Sequence, residues 1–118
     1  DQVGRVIVNL ASNALDSLQL AAAGAAPGFV PRLVVATSRD AAGVTITVSD
    51  NGTGIPEAVL AHIFEPFFTT KPTGRGNIGL GLSLSRDLIV RGYAGSIDVE
   101  TTEGRGTTFT VTLPDPAG

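Results

Sequence analysis

With 118 residues, 42% of them apolar, the chain is long enough to fold as one globular domain around its own core. Its 8 basic and 11 acidic residues give a net charge of -3, with no Lys and Arg stripe that could release counterions from a nucleic-acid backbone, which argues against a nucleic-acid partner. The absence of cysteine removes disulfides and thiolate metal sites and suits a reducing cytosol.

From Asp1 to about Ala22 the apolar residues Val3, Val6, Ile7, Leu10, Ala14, Leu15 and Leu18 recur at helical spacing, and Gly24 is placed to end the helix. The chain thus opens inside a helical pattern, which reads as a start part-way through a domain, and no basic n-region of a signal peptide precedes it. The most apolar stretch, Leu18 to Val35, is broken by Gly24, Pro27, Gly28, Pro31 and Arg32 and is not read as a membrane span. Leu33 to Ser38 and Val44 to Ser49 read as strands joined by a turn over Asp40 to Gly43, a hairpin with one buried face. Pro56 suits the first position of a short helix running to about Phe64. Glu65 to Ile78, rich in Pro, Gly and Thr, reads as a long loop, and such a loop in a compact domain usually serves as a lid or binding loop. A second long helix is expected from Gly79 to Gly92, and Ile97 to Thr101 and Thr107 to Leu113 form a closing hairpin around Glu103 to Gly106. Helices segregate in this order onto one face of a mostly antiparallel, mixed sheet, an α/β two-layer sandwich.

Three groups of residues carry chemistry. On the first helix, Gln2, Arg5, Asn9, Asn13 and Asp16 fall in one narrow polar stripe while most of the surface around it is apolar. Asn is a poor helix former, so two of them four residues apart point to a pocket wall, and their amide oxygens are hard ligands suited to Mg²⁺. After the strand ending at Ser49 comes Asp50-Asn51-Gly52-Thr53-Gly54-Ile55-Pro56. Two glycines flanking one residue let a backbone approach a flat ring, and a strand-end carboxylate can accept from an exocyclic amine such as that of adenine. The third group, Gly74 to Ser83, opens directly into a helix, where free N–H groups and the helix dipole favour phosphate. It is neither a P-loop, lacking a Gly-Lys-Ser or Gly-Lys-Thr, nor a dinucleotide fingerprint, since no strand precedes it.

Together these groups resemble sensor histidine kinases. Asn9 to Asp16 resembles their N box, Asp50 to Ile55 the first glycine box, and Ile63-Phe64-Glu65-Pro66-Phe67-Phe68-Thr69-Thr70-Lys71 the F box. Gly79-Leu80-Gly81-Leu82-Ser83 resembles the second glycine box, and Gly104 to Phe109 the last one. The resemblance covers nearly the whole chain and implies the Bergerat-type fold shared by histidine kinases, gyrase, Hsp90 and MutL, with ATP held between helices and sheet beneath a mobile lid. By it, Asp50 binds the adenine amine, Asn13 holds Mg²⁺ with Asn9 supporting, Gly79, Leu80, Gly81 and Leu82 hold the phosphates, and Thr107 supports the base through Asp50 or a water. Lys71 and Arg75 are lid cations within reach of the phosphates, and Asp16, Gly52, Gly54, Ile55 and Phe64 complete the ATP-binding set.

Two departures stand out. Asn77 and Ile78 separate Gly76 from Gly79, which makes the lid a residue longer than the usual pattern, and the family's first strand is absent, so the fold reads as N-terminally truncated. In the gyrase, Hsp90 and MutL branch a glutamate four residues before the metal-binding asparagine activates water; Asn9 has no basic form for that task. Phosphoryl transfer relies mainly on positioning and charge, so a nucleophile from elsewhere suffices. The resemblance therefore implies transfer to a histidine on a separate helical dimerisation domain of the parent protein, with a response regulator downstream, as in a two-component system. The alternatives are a protein serine kinase of the anti-sigma type and a non-catalytic nucleotide-binding or scaffolding module. His62, the sole histidine, reads as an ordinary half-buried helix residue and not as the phosphoacceptor. A cytoplasmic location is expected for this segment, with no membrane contact of its own and any anchor lying elsewhere in the parent.

Overall fold

Apolar side chains one helical turn apart draw Gln2–Gly24 into a single helix, α1, whose Val6, Leu10, Ala14 and Leu18 are buried in one row. The first turn carries no acid and the last no base, so tertiary burial and not charge at the helix ends holds it. The computed structural model of the chain describes residues 2–25, 27–65 and 81–114.

Beneath α1 lies a four-stranded sheet built from β1 (Leu33–Asp40), β2 (Gly43–Asp50), β3 (Ser96–Thr102) and β4 (Gly106–Pro114), in the order β1-β2-β4-β3. Every described pairing is antiparallel, which is the dominant part of the mixed sheet anticipated from sequence. Two hairpins are thus joined through their inner strands. On the covered face Ile46 lies opposite Val111 and Val48 opposite Phe109, and these four meet Val6, Leu10 and Ala14 of α1 in the core. The other face carries Thr45, Thr47 and Ser49 against Thr112, Thr110 and Thr108, with the Ser49 and Thr108 hydroxyls 2.8 Å apart.

The buried face expected of the first hairpin belongs to β2 alone. β1 stands exposed along nearly its whole length, Val34 and Val35 included, because α1 packs over β2 and leaves the outer strand uncovered. The turn between them forms as expected: the Asp40 carboxylate accepts the N–H groups of Ala42 and Gly43, and Gly43 takes a φ of 144°.

Pro56 sits just before a single helical turn, α2 (Glu57–Leu60). The chain then continues to Glu65 through i→i+3 hydrogen bonds from His62 to Val59 and from Glu65 to His62, so the helix expected as far as Phe64 tightens into turns after one turn. The second long helix is described from Gly81. It runs as α3 (Gly81–Asp87) and widens into a π-helical turn over Leu88–Gly92, in place of the uniform α-helix expected up to Gly92. The widening occurs where Ile89 is fully buried and its carbonyl accepts the N–H groups of both Tyr93 and Gly95, while Gly95 lies so close to the Thr112 carbonyl that a Cβ would overlap it. α1 and α3 cover the same face of the sheet, giving the two layers. The loop expected over Glu65 to Ile78 lies outside the described residues from Pro66 onward. Among the described residues no helix is long and apolar enough to cross a membrane.

Candidate functional site

Asp50 ends β2, between Leu33 of the edge strand and Thr107 of β4, at the point where the chain leaves the sheet and turns back beneath α1. Its carboxylate is half-buried. Oδ1 accepts the Gly52 N–H at 2.8 Å and lies 3.5 Å from the Ser17 hydroxyl. Loss of solvation pushes its pKa above the ordinary carboxylate value, opposed by the Gly52 N–H, the Ser17 hydroxyl and the Thr107 N–H. A half-buried carboxylate raised by desolvation and held by three donors keeps acceptor capacity for a further hydrogen bond.

The two glycines of this turn make room for the protein's own chain. A Cβ on Gly52 would overlap Ser17, and one on Gly54, whose φ is 71°, would overlap the backbone at Thr102 and Glu103. Each glycine thus has a packing reason of its own in the folded chain, beside the approach to a flat ring expected from sequence. Behind the turn, the β3–β4 hairpin locks in: Gly104 donates its N–H to the Thr53 carbonyl, and Ile55 donates to the Thr101 hydroxyl at 2.8 Å. Thr101 Oγ1 also lies 3.1 Å from the Gly106 carbonyl and 2.9 Å from Thr107 Oγ1. All three contacts are satisfied when Thr101 donates to Gly106 and accepts from Ile55 and Thr107, which leaves the buried Thr107 hydroxyl a free acceptor lone pair. Asn51 faces elsewhere and clamps the segment before β1, accepting the Arg32 N–H at 2.7 Å and donating to the Val30 carbonyl at 2.9 Å.

Along α1, Asn9, Asn13 and Asp16 are half-buried and Arg5 is exposed, while the side chain of Gln2 lies outside the described residues. Asn9 Nδ2 donates to Ser85 Oγ at 3.2 Å, and Ser85 is fully buried on α3. The Asn9 amide is thus fixed across the helix pair. Asn13 lies one turn on and Ser17 one turn further, so the stripe runs from α3 to the Asp50 turn over about 12 Å of helix. A shallow open groove lined by Gly4, Arg5, Val8 and Asn9 meets the stripe at its Asn9 end.

Of the other residues anticipated, Ile55, Phe64 and Leu82 pack against the core, and the Arg86 guanidinium stands 5.3 Å above the Phe64 ring. Gly81 opens α3. Lys71, Arg75, Gly79 and Leu80 lie outside the described residues. His62 is exposed, not half-buried, on the turn after α2, with Nδ1 2.6 Å from Glu65 Oε2. The sequence reading missed Ser17, Thr53, Thr101 and Ser85. Ser17 could have been found from its spacing of four from Asn13 and eight from Asn9, which puts it at the border between the polar stripe and the buried face.

The model of one protein family, described as histidine kinase-, DNA gyrase B- and HSP90-like ATPase, matches residues 1–117. The chain belongs to that ATPase family. Among curated proteins, this ATPase domain is 47% identical over 114 residues to the two-component sensor PprA of Pseudomonas aeruginosa, covering 97% of this chain and 12% of that protein. It is 38% identical over 124 residues to the sensor histidine kinase ZraS of Escherichia coli, covering 100% of this chain and 24% of that one. Among solved structures it resembles the nucleotide-free catalytic domain of the histidine kinase ThkA, with a TM-score of 0.74 and 30% identity over 96% of this chain and 67% of that one. The α/β sandwich is therefore that of histidine kinase catalytic domains, and the ATPase domain spans a small part of the curated sensors it matches.

Proposed function

We propose that this domain binds Mg-ATP and presents the γ-phosphate to a histidine on a separate helical domain of its parent, whose phosphate then passes to a response regulator in two-component signalling. The observation that carries the reading is the half-buried Asp50 carboxylate, held by Gly52, Ser17 and Thr107 at one end of a polar stripe that continues through Asn13 to Asn9. Asp50 accepts a hydrogen bond from the exocyclic amine of adenine, and the Thr107 hydroxyl, its own proton committed to Thr101, accepts from a bridging water or the base. Thr53, Gly54 and Ile55 close this end, anchored to the β3–β4 hairpin.

The donor set fits a cation brought in with its phosphates. Among the described residues no cluster of three or more His, Cys, Asp or Glu forms a cage for a metal, whereas the half-buried stripe carries Asn13 with Asn9 one turn before it, an amide-oxygen chemistry suited to Mg²⁺ shared with substrate phosphates. When bound, Mg²⁺ offsets charge on the transferring phosphoryl group. On the phosphate side, Gly79 to Leu82 supply N–H groups and Lys71 and Arg75 supply positive charge, an assignment supported by the likeness to histidine kinases. Among the described residues at the reacting end Asn9 supplies no general base: its amide nitrogen lone pair is delocalised into the carbonyl, and one of its N–H groups is donated to Ser85.

Incubation with γ-labelled ATP tests the reading. The chain alone is expected to bind Mg-ATP without labelling itself, and addition of the histidine-bearing helical domain of its parent is expected to yield acid-labile phosphate on that domain. Phosphate on His62 would overturn the assignment. Acid-stable phosphoserine on an added protein would turn it toward a serine kinase, and binding without any transfer toward a non-catalytic module.

A further inference from the structure

We propose that Ser17 is a positioning residue for the base-binding carboxylate, and that it sets how strongly the site prefers a base with an exocyclic amine. The inference deepens the Mg-ATP reading and rests on it. Asp50 is held from three sides: its own turn supplies the Gly52 N–H, β4 supplies the Thr107 N–H, and α1 supplies the Ser17 hydroxyl. Two of these are backbone groups, fixed by the fold. Ser17 is the sole side chain of the three, and no charged side chain among the described residues contributes to the balance at Asp50. Ser17 is therefore the one of the three holds on the carboxylate that a change of side chain can remove while the backbone donors stay in place.

Its geometry is that of a rotor with one proton. Ser17 Oγ accepts the Thr53 N–H at 3.0 Å, which leaves its own proton to go either to Asp50 Oδ1, at 3.5 Å, or to Thr53 Oγ1, at 3.2 Å. An ionised carboxylate is the stronger acceptor, and 3.5 Å is the outer limit of a hydrogen bond, so the contact has room to shorten when a ligand draws the carboxylate into place. With Oδ1 engaged by Gly52 and Ser17, Oδ2 keeps a lone pair for the amine N–H. Nothing separates Ser17 from the turn, because Gly52 has no Cβ and any side chain there would overlap Ser17. Loss of the hydroxyl releases Asp50 and Thr53 together, since both are tied to the same oxygen.

The test is a comparison of ligands and variants by calorimetry on the 118-residue chain. The ligands are Mg-ATP and the Mg complex of purine riboside triphosphate, which lacks the exocyclic amine. Ser17→Ala is expected to weaken ATP about 5- to 10-fold, as suits a charge-assisted bond at the long end of the range, and to leave the amine-free nucleotide within about 2-fold of the parent chain. Ser17→Thr, which keeps the hydroxyl, is expected to restore ATP binding to within about 2-fold. Ser17→Cys, similar in volume with a weak donor, gives a second measurement in the same direction should the alanine variant fail to fold. Equal losses for both nucleotides would reduce Ser17 to a packing role, and an unchanged ATP affinity in Ser17→Ala while Asp50→Asn loses it would remove Ser17 and leave the amine reading standing. ATP binding by Asp50→Asn equal to that of the parent would remove the amine reading, and this proposal with it.

Discussion

Replacing Asp50 by asparagine should separate binding from stability, because the two depend on its charge with opposite sign. Burial lifts the Asp50 pKa above its unfolded value, so the folded state holds its proton to a higher pH than the unfolded chain does. The stability this contributes is fully present below the unfolded pKa and is lost as pH rises through the folded one, so at pH 7 the nucleotide-free domain bears the full cost of a half-buried charge. Asparagine is neutral and nearly isosteric, keeps an oxygen for the Gly52 N–H, and removes that cost. The nucleotide-free variant should therefore melt no lower than the parent at pH 7, and the fall in stability as pH rises through the carboxylate range should flatten. Binding should move the other way. An amide nitrogen facing the adenine amine sets donor against donor, and a hydrogen bond to a charged group is worth about 1.5 to 3 kcal/mol, or roughly a 10- to 150-fold loss of ATP affinity. Calorimetric titration with ATP and thermal melts without nucleotide at pH 5 and pH 8 measure both sides. Unchanged ATP affinity would refute the adenine assignment, and a nucleotide-free melt well below the parent's would show Asp50 to be a structural residue instead.

Asn13→Ala should weaken Mg-ATP binding tenfold or more while leaving ATP in chelator within about twofold, as expected of a hard oxygen donor to a metal carried by its phosphates; equal losses in both titrations would assign Asn13 to packing. Gly52→Ala should destabilise the domain by about 1 to 3 kcal/mol, read as a lower denaturant midpoint, because the new methyl overlaps Ser17 where α1 and the Asp50 turn meet. Ala94→Gly should raise stability by about 0.5 to 1 kcal/mol, since Ala94 sits at a φ of 55° after the π-helical turn and glycine is free of the steric cost there. A lower melting temperature for that variant would show that the close of the turn is held by something other than backbone preference.

How much was legible in the sequence depended on whether a residue's role is set by its neighbours along the chain or across it. The apolar spacing of α1 and the alternation in β2 and β4 are local, and those elements formed over nearly the expected residues. Burial of β1 is set by what packs over it, and no periodicity of its own could reveal that α1 packs mainly over β2 and reaches β1 only slightly. The π-helical turn is likewise fixed across the chain, by Gly95 closing against Thr112 and by the complete burial of Ile89. In the candidate site, Asn9, Asn13 and Asp50 stood out because an amide pair on a helix and a carboxylate before two glycines are unusual where they stand. Ser17, Thr101 and Ser85 carry common small hydroxyls; helical spacing could place Ser17 beside the stripe, but only the folded register brings the three to Asp50, Thr107 and Asn9.

The seams explain why the glycines and hydroxyls occur where they do. Three chain segments converge at the Asp50 turn, from α1, from the end of β2 and from the β3–β4 hairpin, and at each crossing one partner is a glycine: Gly52 against Ser17, Gly54 against Thr102, Gly106 against the Asp50 carbonyl. Segments packed this closely leave their polar groups without water, and short hydroxyls reach across: Ser17 to Thr53 and Asp50, Thr101 to Ile55, Gly106 and Thr107. Among the described residues no buried side-chain polar atom is left without a partner. On the proposed reading, a carboxylate held by the Gly52 N–H on its own turn needs only the loose Ser17 contact to tighten when a ligand arrives, and a single acceptor so placed favours an amine over a carbonyl on a base. At the other end of the stripe the same logic holds the Asn9 amide on Ser85, where one of its two N–H groups is spent within the protein. On the proposed reading, a site with recognition at the Asp50 end and, among the described residues, an amide and not a base at Asn9 would bind and orient its nucleotide and leave the attack to a nucleophile from elsewhere in the parent protein.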